Sequence, residues 1–189
     1  MIYIEDDFLD IDIIKSLNKD KNVFQEVKTP GKSFWVKMPS DSFVELVCEK
    51  ISKIENVFIE PILSFFREAK EGQDNDWRIH NDSIIEGQQP DRAIVLFISE
   101  EQDEGLNGTA FWEHNKYGDT FKDITPEEFD RLLLEDSNDQ KKWRLKSIIG
   151  HKQNRLLSYP CNYFHSKYPN EFLESRKVFV MFYKIRKWH

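Results

Sequence analysis

The sequence predicts a mainly β fold of the α+β class: a double-stranded β-helix, or jelly roll, with N-terminal helices and a short helical insertion. Three observations predict it. About eight segments read as extended strands bounded by turn signals, the number and spacing of a jelly roll. Aromatic residues make up 14% of the chain, with 15 Phe and 5 Trp, and aromatics favour the pleated surface of a strand. Helical periodicity is confined to residues 8–17, residues 42–54 and a short run opened by Thr125.

Phe8 to Leu17 has apolar residues at 8, 9, 11, 13, 14 and 17, with Asp6 or Asp7 as the N-cap. Val23 to Met38 reads as extended, turning at Pro30-Gly31. Ser42 to Ile54 is an amphipathic helix, because Phe43, Val44, Val47, Ile51 and Ile54 fall on one stripe. Strand patterns follow at Val57 to Arg67, Trp77 to Ser83, Arg92 to Ser99 and Thr109 to His114, with Gly105 and Asn107-Gly108 as turn signals before the last. Thr125-Pro126-Glu127-Glu128 supplies an N-cap, a proline at the first helical position and a capping box, for a helix ending about Glu135. Strands resume at Trp143 to His151, Arg155 to Tyr159 and Lys177 to Ile185. No repeat or Gly/Ser linker interrupts the chain, so residues 1–189 read as a single domain. Its helical N-terminal part, 1–54, is expected to pack on the barrel, and its jelly-roll core, 55–189, carries an insertion at 115–150.

The formal net charge of -7 argues against a protein that grips phosphate backbones, so no nucleic-acid partner is expected. Cys48 and Cys161 read as reduced, since nothing suggests a disulfide scaffold. The acidic N-terminus lacks a basic leader region, and no apolar run reaches membrane-spanning length. A cytoplasmic chain without a membrane partner is the expectation.

Chemistry is concentrated in His80-Asn81-Asp82 and, far downstream, His165. In extended backbone, residues i and i+2 face the same way, so His80 and Asp82 can reach one metal while Asn81 points away. Two histidines and one carboxylate form the facial triad of non-heme Fe(II) sites, which leaves coordination positions open for ligands. His114 and His151 have no carboxylate at i+2 and read as surface or pocket-rim residues.

The ordered set Trp77 to Asp82, Arg92 to Ser99, Gly108 to Phe111, Asn154 to Pro160, His165 and Ser175 to Val180 resembles the Fe(II)- and 2-oxoglutarate-dependent dioxygenases, in particular their prolyl-4-hydroxylase-like branch. The resemblance covers residues 55 to 185 and implies a cupin-like jelly roll. It implies Fe(II) held by His80, Asp82 and His165, which would be the catalytic residues, with 2-oxoglutarate as co-substrate and O2 as oxidant. Arg176 would anchor the distal carboxylate of 2-oxoglutarate, because a guanidinium fork binds a carboxylate bidentately and stays charged when partly buried. Alternation then turns the adjacent Lys177 the other way.

The chain departs from many relatives by having Phe97 near the position where they carry a tyrosine that donates to the co-substrate. Thr109 and Tyr159 are the candidates to replace it, and Arg78, on the inward face with His80, is a candidate for touching substrate. The implied reaction is hydroxylation of a C–H bond, with release of succinate and CO2. A peptidyl residue is the expected target by resemblance, with a free amino acid or another small molecule as the alternative. The contrasting class is a non-catalytic jelly-roll binding module. The 115–150 insertion reads as either a lid or a solvated excursion.

Overall fold

The computed structural model describes residues 1–21, 23–29, 32–69, 78–101, 106–122, 125–169 and 175–186. Expectations for Trp77, the Pro30-Gly31 turn and Gly105 lie outside these residues. The elements are β1 (Tyr3–Glu5), α1 (Ile11–Lys19), β2 (Gln25–Thr29), β3 (Lys32–Lys37), α2 (Asp41–Glu55), β4 (Phe58–Ala69), β5 (Arg92–Phe97), β6 (Gly108–His114), α3 (Pro126–Glu135), β7 (Trp143–Gly150), β8 (Leu156–Pro160), β9 (His165–Tyr168) and β10 (Arg176–Arg186). They form an antiparallel seven-stranded sheet, β1-β8-β5-β10-β4-β3-β2, and an antiparallel three-stranded sheet, β7-β6-β9.

Strand alternation sorts the core into layers. On β10, Val178, Val180 and Phe182 join the cluster between the sheets, with Val95 and Phe97 of β5, Phe111 of β6 and Tyr159 of β8. Their neighbours Phe179, Met181 and Tyr183 face outward and pack with Ile14 of α1 and Val47 and Ile51 of α2. Ile14, Val47 and Ile51 are almost fully buried, and each such side chain contributes roughly 1.5–3 kcal/mol by leaving water. A third cluster lies on the far side of the small sheet, where Leu132 of α3 meets Ile79, Trp112, Trp143 and Phe164. The capping box at Thr125 and Glu128 is present, with both reciprocal bonds made. No helix among the described residues is long and apolar enough to cross a membrane.

Several elements differ from the sequence reading. The first helix starts at Ile11 with Asp10 as its N-cap, not at Phe8 with Asp6 or Asp7. The cause is the buried Asn154, which clamps the main chain ahead of the helix: Leu9 N–H donates to its Oδ1 (2.9 Å) and its Nδ2 donates to the Leu9 carbonyl (2.8 Å). Asp6 instead pairs with Arg155 (2.6 Å) and Lys152 (3.0 Å). The N-terminal part is not wholly helical, because β1 adds to β8 and the β2–β3 hairpin extends the large sheet beside β4. Gly108 opens a strand rather than a turn. A Cβ there would lie 2.0 Å from the Ile149 carbonyl oxygen, so the close pairing of β6 with β7 requires glycine. Within the expected insertion 115–150, the strand read at Trp143 to His151 is present as β7, paired with β6. The insertion's helix α3 packs on the outer face of the small sheet, with Leu132 and Phe129 in the third cluster.

Candidate metal centre

The segment 78–82, expected as a strand, is tied to the small sheet by one reciprocal pair of backbone bonds. His80 N–H donates to the His165 carbonyl (3.0 Å) and His165 N–H to the His80 carbonyl (2.8 Å). Two residues on, Asp82 N–H donates to the Cys161 carbonyl (2.8 Å). The alternation expected of a strand survives: Ile79 packs into the outer cluster, while His80 and Asp82 turn inward. Asn81 is fully buried, and its Oδ1 accepts from Ser83 N–H (3.2 Å).

His80, Asp82 and His165 each offer one ligand atom, and these atoms lie within 4.8 Å of one another. Asp82 Oδ2 is 3.2 Å from His165 Nε2, and Asp82 Oδ1 is 3.6 Å from His80 Nε2. Each imidazole commits its other nitrogen to main chain: His80 Nδ1 lies 2.7 Å from the Arg78 carbonyl, and His165 Nδ1 lies 3.0 Å from the Tyr163 carbonyl. A carbonyl only accepts, so both Nδ1 atoms carry a proton, and each Nε2 is the nitrogen left to offer a lone pair to a metal ion. Two imidazole lone pairs and a carboxylate thus converge on one point. Acceptors facing acceptors repel unless a cation lies between them, so this donor set fits a divalent metal ion such as iron. Burial pushes the Asp82 carboxyl up, but the nearby His165, His80 and Arg67 charges outweigh it and hold it below the usual range. The ligand it offers is therefore an anion.

Arg176 and Lys177 part as alternation requires. Lys177 Nζ points outward and donates to the carbonyls of Asn18 (2.9 Å) and Asp20 (3.1 Å) at the end of α1. Arg176 is 5% exposed and faces inward, its guanidinium 5.2 Å from the Phe97 ring centroid. Burial and the neighbouring Arg67 bring its pKa down to about 9, which leaves it cationic at neutral pH. Tyr159 is buried, and its hydroxyl lies 3.0 Å from His165 Nε2. Burial, then the Asp82 charge, pushes that phenol well above its ordinary value, so it remains a donor. Thr109 is buried on the same face of β6 as Phe111, toward the interior. Arg78 is half-buried; its N–H donates to Asn138 Oδ1 (2.8 Å) and its carbonyl orients His80.

His114 is buried rather than on the surface, and it lines a cavity with Tyr117, Leu132 and Asp136. It is 3% exposed, accepts at Nδ1 from the N–H groups of Lys116 (3.1 Å) and Tyr117 (3.3 Å), and has Asp136 Oδ2 3.1 Å from Nε2. His151 is partly buried, stacked on Phe97 with centroids 4.7 Å apart, and its Nε2–H donates to the Ser99 carbonyl (2.8 Å). Sequence reasoning missed Arg67. It alternates with the outward Phe66 on β4 and so faces inward, with its guanidinium 4.7 Å from the Phe34 ring centroid. An arginine in phase with the inward Leu63 and Phe65 was the available signal.

No protein-family model and no curated protein sequence matches this chain. Solved structures do. HygX from Streptomyces hygroscopicus, determined with nickel, 2-oxoglutarate and hygromycin B bound, superposes with a TM-score of 0.60 at 11% identity, covering 97% of this chain and 82% of HygX. A Pseudomonas putida prolyl-4-hydroxylase superposes with a TM-score of 0.57 at 11% identity, covering 98% and 92%. SnoK, a non-heme alpha-ketoglutarate-dependent carbocyclase from nogalamycin biosynthesis, superposes with a TM-score of 0.64 at 10% identity, covering 96% and 78%. This chain therefore has the jelly-roll fold of these proteins. The resemblance read from the sequence is met at that level, with a prolyl-4-hydroxylase among the proteins it superposes on.

Proposed function

We propose that this chain is an Fe(II)- and 2-oxoglutarate-dependent dioxygenase that hydroxylates a C–H bond. In this reading His80, Asp82 and His165 hold the iron and Arg176 anchors the far carboxylate of 2-oxoglutarate. The observation that carries it is the convergence of three ligand atoms within 4.8 Å of one another, with the buried Arg176 on the inward face of β10 beside Val178. Bound iron, 2-oxoglutarate and O2 supply the oxidising chemistry: one oxygen atom goes to the substrate and the other to succinate, with loss of CO2.

The chain's own part is positioning. The main-chain carbonyls of Arg78 and Tyr163 fix both imidazoles with Nε2 toward the cavity. Asp82 supplies an anion that lowers the charge a bound cation brings into a buried place. Tyr159, whose hydroxyl lies 3.0 Å from His165 Nε2, is the hydroxyl best situated to donate to a bound acid, ahead of Thr109. The aromatic walls Phe97, Phe111 and Tyr159 exclude water from the reacting centre.

The fold shared with a prolyl-4-hydroxylase supports a peptidyl substrate. The likeness to HygX, with hygromycin B bound, supports a small molecule as the second reading. Anaerobic titration with Fe(II) and then 2-oxoglutarate tests the proposal. The expected result is a visible metal-to-ligand charge-transfer band in the wild type that is lost in His165→Ala. Folded wild type that gives no band overturns it and favours a binding module.

A further inference from the structure

Each imidazole of the metal centre leans on a single peptide plane. His80 Nδ1–H donates to the Arg78 carbonyl (2.7 Å), and the N–H of that same peptide, on Ile79, donates to the Ser137 carbonyl (3.0 Å). His165 Nδ1–H donates to the Tyr163 carbonyl (3.0 Å), and the N–H of that peptide, on Phe164, donates to the Asp119 carbonyl (3.3 Å). A peptide unit is planar and trans, so its N–H and C=O point opposite ways from one rigid plate. Holding the N–H therefore aims the C=O, and with it the ring bonded there. Ser137 and Asp119 both lie in the connection between β6 and β7. The same connection holds the preceding peptide on each side. Asn138 Oδ1 accepts from Arg78 N–H (2.8 Å), and Phe121 N–H donates to the Asn162 carbonyl (3.2 Å). Ile79 and Phe164 are fully buried and pack in one cluster with Phe121 and Leu132 of the connection. Its end at α3 is anchored in turn, because Trp143 Nε1–H donates to the Asp136 carbonyl (2.8 Å).

From this geometry we infer that the connection between β6 and β7 aims both metal-binding imidazoles, with Asn138 as a positioning residue for His80. The inference rests on the proposed ligand set and deepens that reading. The work is divided between two parts of the fold. The reciprocal main-chain bonds of His80 and His165 fix how far apart the two backbones lie. The carbonyls of Ser137 and Asp119 and the side chain of Asn138 fix the tilt of the plates on which the rings lean. Groups that orient a ligand without touching the metal govern its affinity and geometry.

The test titrates the full chain with Co(II), which accepts the same nitrogen and oxygen ligands as iron and whose visible absorption follows their geometry. Asn138→Leu removes the acceptor for Arg78 N–H. It is expected to bind Co(II) about tenfold more weakly, a loss typical when a group that supports a ligand is removed, and to shift the Co(II) absorption. Asn138→Asp keeps the oxygen acceptor and is expected to restore the wild-type spectrum. Glu55→Ala loosens the fold at the buried Glu55–Arg92 pair, away from the connection, and is expected to leave affinity and spectrum unchanged. Trp143→Phe, which frees the end of α3, decides in place of Asn138→Leu if circular dichroism shows that variant unfolded. Wild-type affinity and spectrum in the deciding variant overturn the inference alone. So does an equal loss in Glu55→Ala, which would mark general loosening of the fold, or a spectrum as altered in Asn138→Asp as in Asn138→Leu. A wild type that binds no Co(II) overturns the proposed ligand set, and the inference with it.

Discussion

The hydroxyl of Tyr159 lies 3.0 Å from Nε2 of His165, the same nitrogen that faces Asp82. Because His165 Nδ1–H is committed to the Tyr163 carbonyl, the tyrosine is the donor in this bond. A cation that takes the Nε2 lone pair releases the hydroxyl to donate elsewhere. Tyr159→Phe is therefore expected to keep iron at full stoichiometry and to weaken 2-oxoglutarate by about tenfold. Metal analysis and anaerobic titration check this. Loss of iron instead would mean that Tyr159 holds His165 in place rather than the acid.

On the opposite face of the large sheet, Glu55 Oε1 accepts from Tyr183 (2.9 Å) and Ser158 (3.0 Å) and lies 3.4 Å from Arg92 Nε. The Arg92 and Glu55 side chains are 9% and 7% exposed. Removing one partner strands the other charge out of water. Glu55→Ala is expected to cost about 3–5 kcal/mol, a fall in Tm of roughly 6–20 °C for a chain of this size. Thermal unfolding followed by circular dichroism measures it, and a shift within error would show that the network contributes nothing.

Burial brings the His151 pKa down to about 4, below its ordinary value near 6.5. The unfolded chain then binds more protons than the folded one between these values, so stability is complete above about pH 6.5 and declines as pH falls toward 4. Gln at this position keeps a donor for the Ser99 carbonyl but does not titrate. The Tm of the wild type is expected to drop more between pH 7 and pH 5 than that of His151→Gln. Parallel curves for the two proteins would refute the assignment.

His114 provides the control for the metal assignment. Its ring caps the turn at Lys116 and Tyr117 and meets Asp136 across a buried gap. His114→Phe is expected to destabilise the fold by about 1–3 kcal/mol, the cost of buried groups left unsatisfied, with iron stoichiometry unchanged. Loss of iron in this variant would move a ligand away from the proposed set.

Side-chain period made much of the site legible. It put His80 and Asp82 on one face, and it separated Arg176 from Lys177 without any knowledge of the sheets. Local chemistry was equally readable at Thr125, where cap, proline and Glu128 agree. What period could not supply was anything decided across the fold. Strand β9 has only four residues and no apolar alternation, so nothing in the period marked its bounds around His165. The start of α1 depends on Asn154, some 145 residues away. His114 looked exposed because it stands among polar residues, yet a turn and a distant aspartate enclose it. Arg67 closed a predicted strand, where a charge ordinarily meets water; its inward direction matters only once β10 lies beside it.

The carbonyls that hold His80 and His165 belong to the main chain, at positions 78 and 163. Every amino acid brings the same carbonyl. Evolution can therefore exchange Arg78 or Tyr163 for other residues without disturbing which nitrogen each histidine offers. The orientation of the two ligands is inherited with the backbone path, and the residues that flank them remain free to adapt to a new substrate.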